Sequence, residues 1–241
     1  MAQFMKSGDV EAQTNGRLYP NQMETPQLRW AFIRKVYSII SFQLALTIAV
    51  AAAVVFIPGI PQFFLRTTPG VISFISIFVF TLLISIALWF MHRKHPWNYL
   101  LLILFTIAEA ILVGLCCAFK QGKIVMLAVI LTTVVVVSLT AYTFWAVKRG
   151  QDFAFLGPFL FAASLMLLAF ALMQIFLPLG PLSRTIFAAL AGILACAYIV
   201  YDTDNIIKRL SYDEYIMGAL SIYVDIVQLF LSILALLSGN K

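Results

Sequence analysis

Charge is scarce in this sequence. Asp, Glu, Lys and Arg together make up 11% of its 241 residues, less than half of the roughly 25% usual in soluble domains. That excludes a chain whose whole surface meets water. Histidine occurs twice, and the three cysteines, Cys116, Cys117 and Cys196, have neither zinc-ligand spacing nor the even count of a disulfide framework. They read as small apolar packing residues. No short apolar segment with a small-residue cleavage site opens the chain, so the first apolar run is expected to act as an uncleaved signal anchor.

Apolar residues fill the place that charge leaves, at 63% of the chain. They fall into runs near 20 residues, the length that crosses a hydrocarbon core of about 30 Å at about 1.5 Å per residue. Spans are expected near residues 36–57, 70–91, 99–119, 124–147, 153–177, 185–207 and 216–237. The expected fold is all-α, a polytopic membrane protein with seven transmembrane helices in one bundle over residues 29–241. The connections carry Pro, Gly or basic residues and are too short to fold as domains. Residues 1–28 are rich in Gln, Asn, Gly and Pro, cannot bury enough surface to offset the entropy of ordering, and are expected to form a disordered cytosolic tail.

The net charge of +6 does not point to nucleic acid, because the basic residues lie between apolar spans and gather on no single face. It points to topology. With a cytosolic N-terminus, that side carries all of the 16 Lys and Arg except Arg66, Lys120, Lys123, Arg184 and Lys241, as the positive-inside rule favours. Trp30, Trp89, Trp97 and Trp145 all fall at the same ends of their spans, the headgroup level that Trp prefers.

Most of the ten acidic residues lie in the tail or the loops. Glu109, Asp202 and Asp225 instead fall within apolar runs, where a charge costs at least about 2.5–3.5 kcal/mol near the bilayer centre. Counted from the cytosolic ends, Glu109 and Asp225 are each about 15 Å deep and Asp202 about 9 Å. Asp204 lies nearer the surface, where a solvated or snorkelling carboxylate is the plainer reading.

Helical phase puts Ala188, Ala191, Gly192, Ala195 and Asp202 on one small-residue face of span 6. In span 7 it groups Gly218, Ser221, Asp225, Gln228 and Ser232. Spans 6 and 7 are joined by a short loop and small faces let backbones approach, so Asp202 and Asp225 are expected to share one site, with Ser221, Gln228 and Glu109 lining its cavity. Two carboxylates in a low-dielectric site cannot both ionise cheaply, so the pair is expected to titrate as a unit and sense pH. It could also hold Ca²⁺ weakly, since two carboxylates supply at most four of the six to eight oxygens that the ion takes. No resident cofactor is expected; calcium enters as permeant or regulator.

Tyr201-Asp202-Thr203, the run Leu220-Ser221-Ile222-Tyr223-Val224-Asp225-Ile226-Val227-Gln228-Leu229-Phe230, and Phe105-Thr106 with Glu109-Ala110 and Gly114 resemble the Bax-inhibitor family, in particular its lifeguard branch. The resemblance covers roughly residues 30–237. It implies seven helices in an endomembrane, endoplasmic reticulum or Golgi, and a pH-sensitive Ca²⁺ leak from internal stores that restrains programmed cell death. It also implies that the paired acids of spans 6 and 7 are the pH sensor, which carries over to Asp202 and Asp225. Bacterial relatives place an Arg at the cytosolic end of span 2 as a partner for the acids. Here that place falls at Met91 or His92 with Arg93 next, so His92 and Arg93 are the basic partner candidates. The Ser238-Gly239-Asn240-Lys241 ending lacks the basic C-terminus of the Bax inhibitor proper.

Three rival classes remain open. An intramembrane aspartyl protease shares Tyr201-Asp202, but its Gly-x-Gly-Asp half is missing before Asp225. A non-transporting scaffold would bind cell-death or stress regulators through tail and loops, although no peptide-recognition motif stands out. A proton-coupled transporter would need an internal repeat that the sequence does not show.

Overall fold

A computed structural model describes residues 26–57, 59–177 and 180–239. The helices are α1 (Pro26–Phe56), α2 (Gly59–Arg66), α3 (Thr68–Met91), α4 (Trp97–Ala118), α5 (Gly122–Lys148), α6 (Leu156–Phe176), α7 (Pro181–Lys208) and α8 (Tyr215–Ser238), with a single 3₁₀ turn at Tyr212–Glu214. All of these but α2 and the 3₁₀ turn are long and apolar enough to cross a membrane. The chain is a seven-span, all-α membrane protein, and no strand occurs among the described residues.

The expected spans and the helices agree closely, with two corrections. α1 starts at Pro26, ten residues ahead of the expected span, so residues 26–28 of the expected tail are already helical. The rest of that tail lies outside the described residues. Arg29, Arg34 and Lys35 end an apolar window without ending a helix. Arg29 instead donates from Nε to the Ile207 carbonyl at 2.8 Å and from Nη1 to the Leu210 carbonyl at 2.6 Å, satisfying acceptors that the end of α7 leaves open. The second correction is α2, a two-turn helix in the expected loop after span 1. Thr67 separates it from α3, accepting from the Gly70 amide at 3.1 Å as the cap of the longer helix.

α8 is the centre of the bundle. It packs against α1, α4, α5 and α7, while α3 leans on α4 and α6 on α7. Ile216, Ala219, Ile222 and Tyr223 of α8 are almost wholly enclosed, whereas α3 and α6 turn rows of Ile, Leu and Phe outward to where lipid would lie. The four Trp are exposed and sit at one end of the bundle, which also holds Arg29, Arg93, Lys208 and Arg209; it is called the basic end below. Small residues set the tightest crossings. A Cβ on Gly114 of α4 would lie 2.8 Å from Val54 Cβ and 3.0 Å from Ala51 Cα of α1. Ala188, Ala191, Gly192 and Ala195 of α7 are all buried, and a Cβ on Gly192 would meet Ser232 of α8 at 3.3 Å.

Candidate functional site

The close approach of α7 and α8 brings Asp202 and Asp225 together. Asp202 is within hydrogen-bonding reach of Ser221, Asn205 and Asp225, with the Asn205 amide donating to its Oδ1 at 3.5 Å. Asp225 Oδ2 is buried and receives no hydrogen bond from any donor. Two carboxyl groups this close in a low-dielectric site cannot both ionise cheaply. Two carboxylates supply at most four of the six to eight oxygens that Ca²⁺ takes. Among the described residues no three His, Cys, Asp or Glu converge on one point.

The other sequence-predicted residues are placed as follows. Ser221 is half-buried beside Asp202 and donates to the Met217 carbonyl at 3.1 Å. Gln228 is exposed on the flank of α8, because a phase of roughly 60° from Asp225 carries it past the edge of the α7 interface. Glu109 stands on the other side of α8. It neighbours Tyr223, whereas the acid beside Asp225 is Asp202. Tyr223 and Asp225, two residues apart, project to nearly opposite sides of the helix.

On the Glu109 side lies a polar network that the sequence did not disclose. The Tyr223 hydroxyl and Thr47 Oγ1 are 2.8 Å apart, Thr47 donates to the Gln43 carbonyl at 2.8 Å, and Gln43 Nε2 donates to Thr106 Oγ1 at 3.1 Å. Each of these side chains belongs to a different turn of an apolar run, where single Gln and Thr residues carry no pattern.

The basic partner candidates are engaged at the basic end. Arg93 Nη2 donates to Glu214 Oε1 at 2.7 Å, and His92 Nδ1 lies 2.7 Å from the Trp89 carbonyl. The other histidine, His95, has Nε2 at 2.6 Å from the Tyr215 hydroxyl. The α3–α4 connection is thereby tied to the first residues of α8. A second tie joins the α5–α6 loop to α7: Asp204, fully buried, meets Lys208 Nζ at 2.7 Å and an Arg209 nitrogen at 3.3 Å, and accepts from the Phe153 amide at 3.3 Å. Asp152 completes it, binding Arg209 with Lys208 at 3.7 Å.

Slight burial pushes the Asp152 carboxyl up, but the Ala154 amide, Arg209 and Lys208 outweigh it and hold the group below its ordinary 3.8. A carboxyl lowered by folding stabilises the fold above its ordinary value, and that contribution is lost as pH falls through the folded value. Asp152→Asn should therefore cost less than about 1 kcal/mol at neutral pH, since the group is exposed. The difference from the native chain should vanish in acid, as thermal unfolding in detergent at several pH values would check.

Six spans assembled with a central seventh, and two acids close together between α7 and α8, define a polytopic membrane protein with a pair of acids inside its bundle. Residues 29–241 match the family model described as Inhibitor of apoptosis-promoting Bax1. The chain is 56% identical over 234 residues to Protein LIFEGUARD 4 of Arabidopsis thaliana, covering 96% of this chain and 95% of the relative. It is 58% identical over 220 residues to Protein LIFEGUARD 2 of the same organism, covering 91% and 92%. It is also 36% identical over 223 residues to the Golgi anti-apoptotic protein of Vaccinia virus strain Lister, covering 89% and 88%. The chain belongs to the Bax-inhibitor family and to its lifeguard branch.

Proposed function

We propose that this protein is a pH-sensitive Ca²⁺ leak pathway of an endomembrane, endoplasmic reticulum or Golgi, that restrains programmed cell death, with the Asp202–Asp225 pair as its gate and the N-terminus in the cytosol. The observation that carries the reading is the contact of the two acids between α7 and α8, with Asp225 Oδ2 buried and lacking a donor. Sharing a proton, the pair bears one negative charge. Loss of that proton leaves two like charges in contact, a strain that α7 and α8 relieve by parting or by taking up a cation. Protons and Ca²⁺ thus compete for one place.

Incomplete coordination by four carboxylate oxygens at most suits an ion that must leave again. Gln228, exposed one turn beyond Asp225, extends the polar route. Glu109 and Tyr223 form a second polar station on the α1 side of α8. Arg93 acts at a distance, by anchoring Glu214 at the entry to α8, while His92 caps the end of α3 on the Trp89 carbonyl. The part in cell death rests on the family and on a viral relative named for anti-apoptotic action.

Reconstitution of the purified chain into proteoliposomes tests this. Ca²⁺ efflux should exceed that of empty liposomes and change across about pH 5 to 8. The absence of any excess from correctly folded protein would favour a scaffold that binds cell-death regulators without transport.

A further inference from the structure

A groove of about 300 Å³ runs along the outside of the bundle between α1 and α4, apart from the acid pair. Its walls are apolar, and two of them, Phe42 at 58% and Ile103 at 42% exposure, face outward to where lipid would lie. Besides Ser38, Tyr99 and Thr106, two polar groups line it. Lys35 stands at the basic end of the groove, with its ammonium 3.3 Å from the centre of the Tyr215 ring. Gln43 closes the deep end at 1% exposure; its Nε2 donates to Thr106, but its Oε1 is buried and receives no hydrogen bond.

These features specify a ligand. An ammonium at the headgroup level attracts an anion and an apolar trough takes an alkyl chain. A volume at the small end of ligand pockets suits one chain better than two. An orphan carbonyl oxygen in hydrocarbon calls for a hydrogen-bond donor, because leaving it unmet costs about 1–3 kcal/mol. Lys35 and Gln43 are eight residues apart, so the anion and the donor must be separated by about 12 Å along the helix. That spacing is too long for a hydroxyl beside a headgroup and suits a hydroxyl partway down an alkyl chain.

We infer that the α1–α4 groove binds a hydroxylated long-chain fatty acid, its carboxylate on Lys35, its chain between Ile39, Phe42, Leu102 and Ile103, and its mid-chain hydroxyl donating to Gln43 Oε1. The site lies apart from the Asp202–Asp225 pair and its binding is read without ion flux, so either proposal can fail without the other.

Native mass spectrometry of the full chain in detergent tests it with three probes: mid-chain hydroxystearate, stearate, and the uncharged methyl ester of hydroxystearate. One hydroxystearate per chain should bind about tenfold more tightly than stearate, the worth of one hydrogen bond at a site that otherwise leaves an acceptor unmet. Gln43→Leu should abolish that preference. Lys35→Gln, an exposed change that leaves folding intact, should weaken both acids and leave the ester unaffected, and Ile103→Trp should block all three. Equal binding of the three probes, or a preference for hydroxystearate that survives Gln43→Leu, would overturn the inference and mark the adducts as adventitious partitioning.

Discussion

Asp204→Ala should be the most destabilising single change at the basic end, costing on the order of 3 kcal/mol. The carboxylate is fully buried, and Lys208, whose side chain is 8% exposed, has its Nζ 2.7 Å away. Removing one partner of a buried pair costs about 3–5 kcal/mol, because the other charge stays behind without compensation. The lower end applies here, since Asp152 and the Gln151 carbonyl also reach Lys208. The Phe153 amide loses its acceptor as well. Asp204→Asn should lie between, since an amide oxygen still accepts from that N–H. Thermal midpoints in one detergent, compared with Asp152→Asn, measure this. A loss for Asp204→Ala no greater than for Asp152→Asn would mean that solvent already screens the cluster.

The second large effect is expected at Gly114. Only a hydrogen separates its backbone from α1, and a Cβ would stand 2.8 Å from Val54 and 3.0 Å from the Ala51 backbone. Backbone cannot rotate away as a flexible side chain can, so α1 must shift bodily. Gly114→Leu exceeds the usual 1–3 kcal/mol cost of overpacking, about 3 kcal/mol being its starting point. The shift also pulls on Gln43 and Thr47, which connect α1 to Thr106 and Tyr223. Reduced yield of folded protein and a lowered midpoint are the expected result, with Gly114→Ala milder. A native midpoint for Gly114→Leu would show that the two helices stand farther apart in the membrane.

The seven spans were legible because a bilayer imposes a length on every apolar run, a constraint that no loop can imitate. The acid pair was legible for a related reason: charge is so costly in hydrocarbon that a few residues stand out, and helical phase with a short loop aligns spans 6 and 7. Helical phase is less decisive at the edges of a face. An arc of about 100° takes in both the α7 interface and its rim, so it grouped Gln228 with Asp225 although Gln228 is exposed. Glu109 has the same depth as Asp225 but faces Tyr223. Depth follows from counting residues, whereas the side of the central helix that a neighbour approaches depends on the packing order of helices far apart in sequence. For the same reason Arg93 reads as a partner for the acids from its position after span 2, while in the folded chain Glu214 in the α7–α8 connection reaches it first.

The central claim is that Asp202 and Asp225 act as one proton-sensitive gate. Its most direct test is Ca²⁺ efflux from proteoliposomes across about pH 5 to 8, comparing the native chain with Asp225→Asn and with Asp202→Asn/Asp225→Asn, each verified as folded. The pair predicts a native flux whose pH dependence is lost in both variants, and the double change should add little to the single one because half a pair no longer shares a proton. A pH dependence that survives unchanged in the double variant would contradict the claim and move the sensor elsewhere in the bundle.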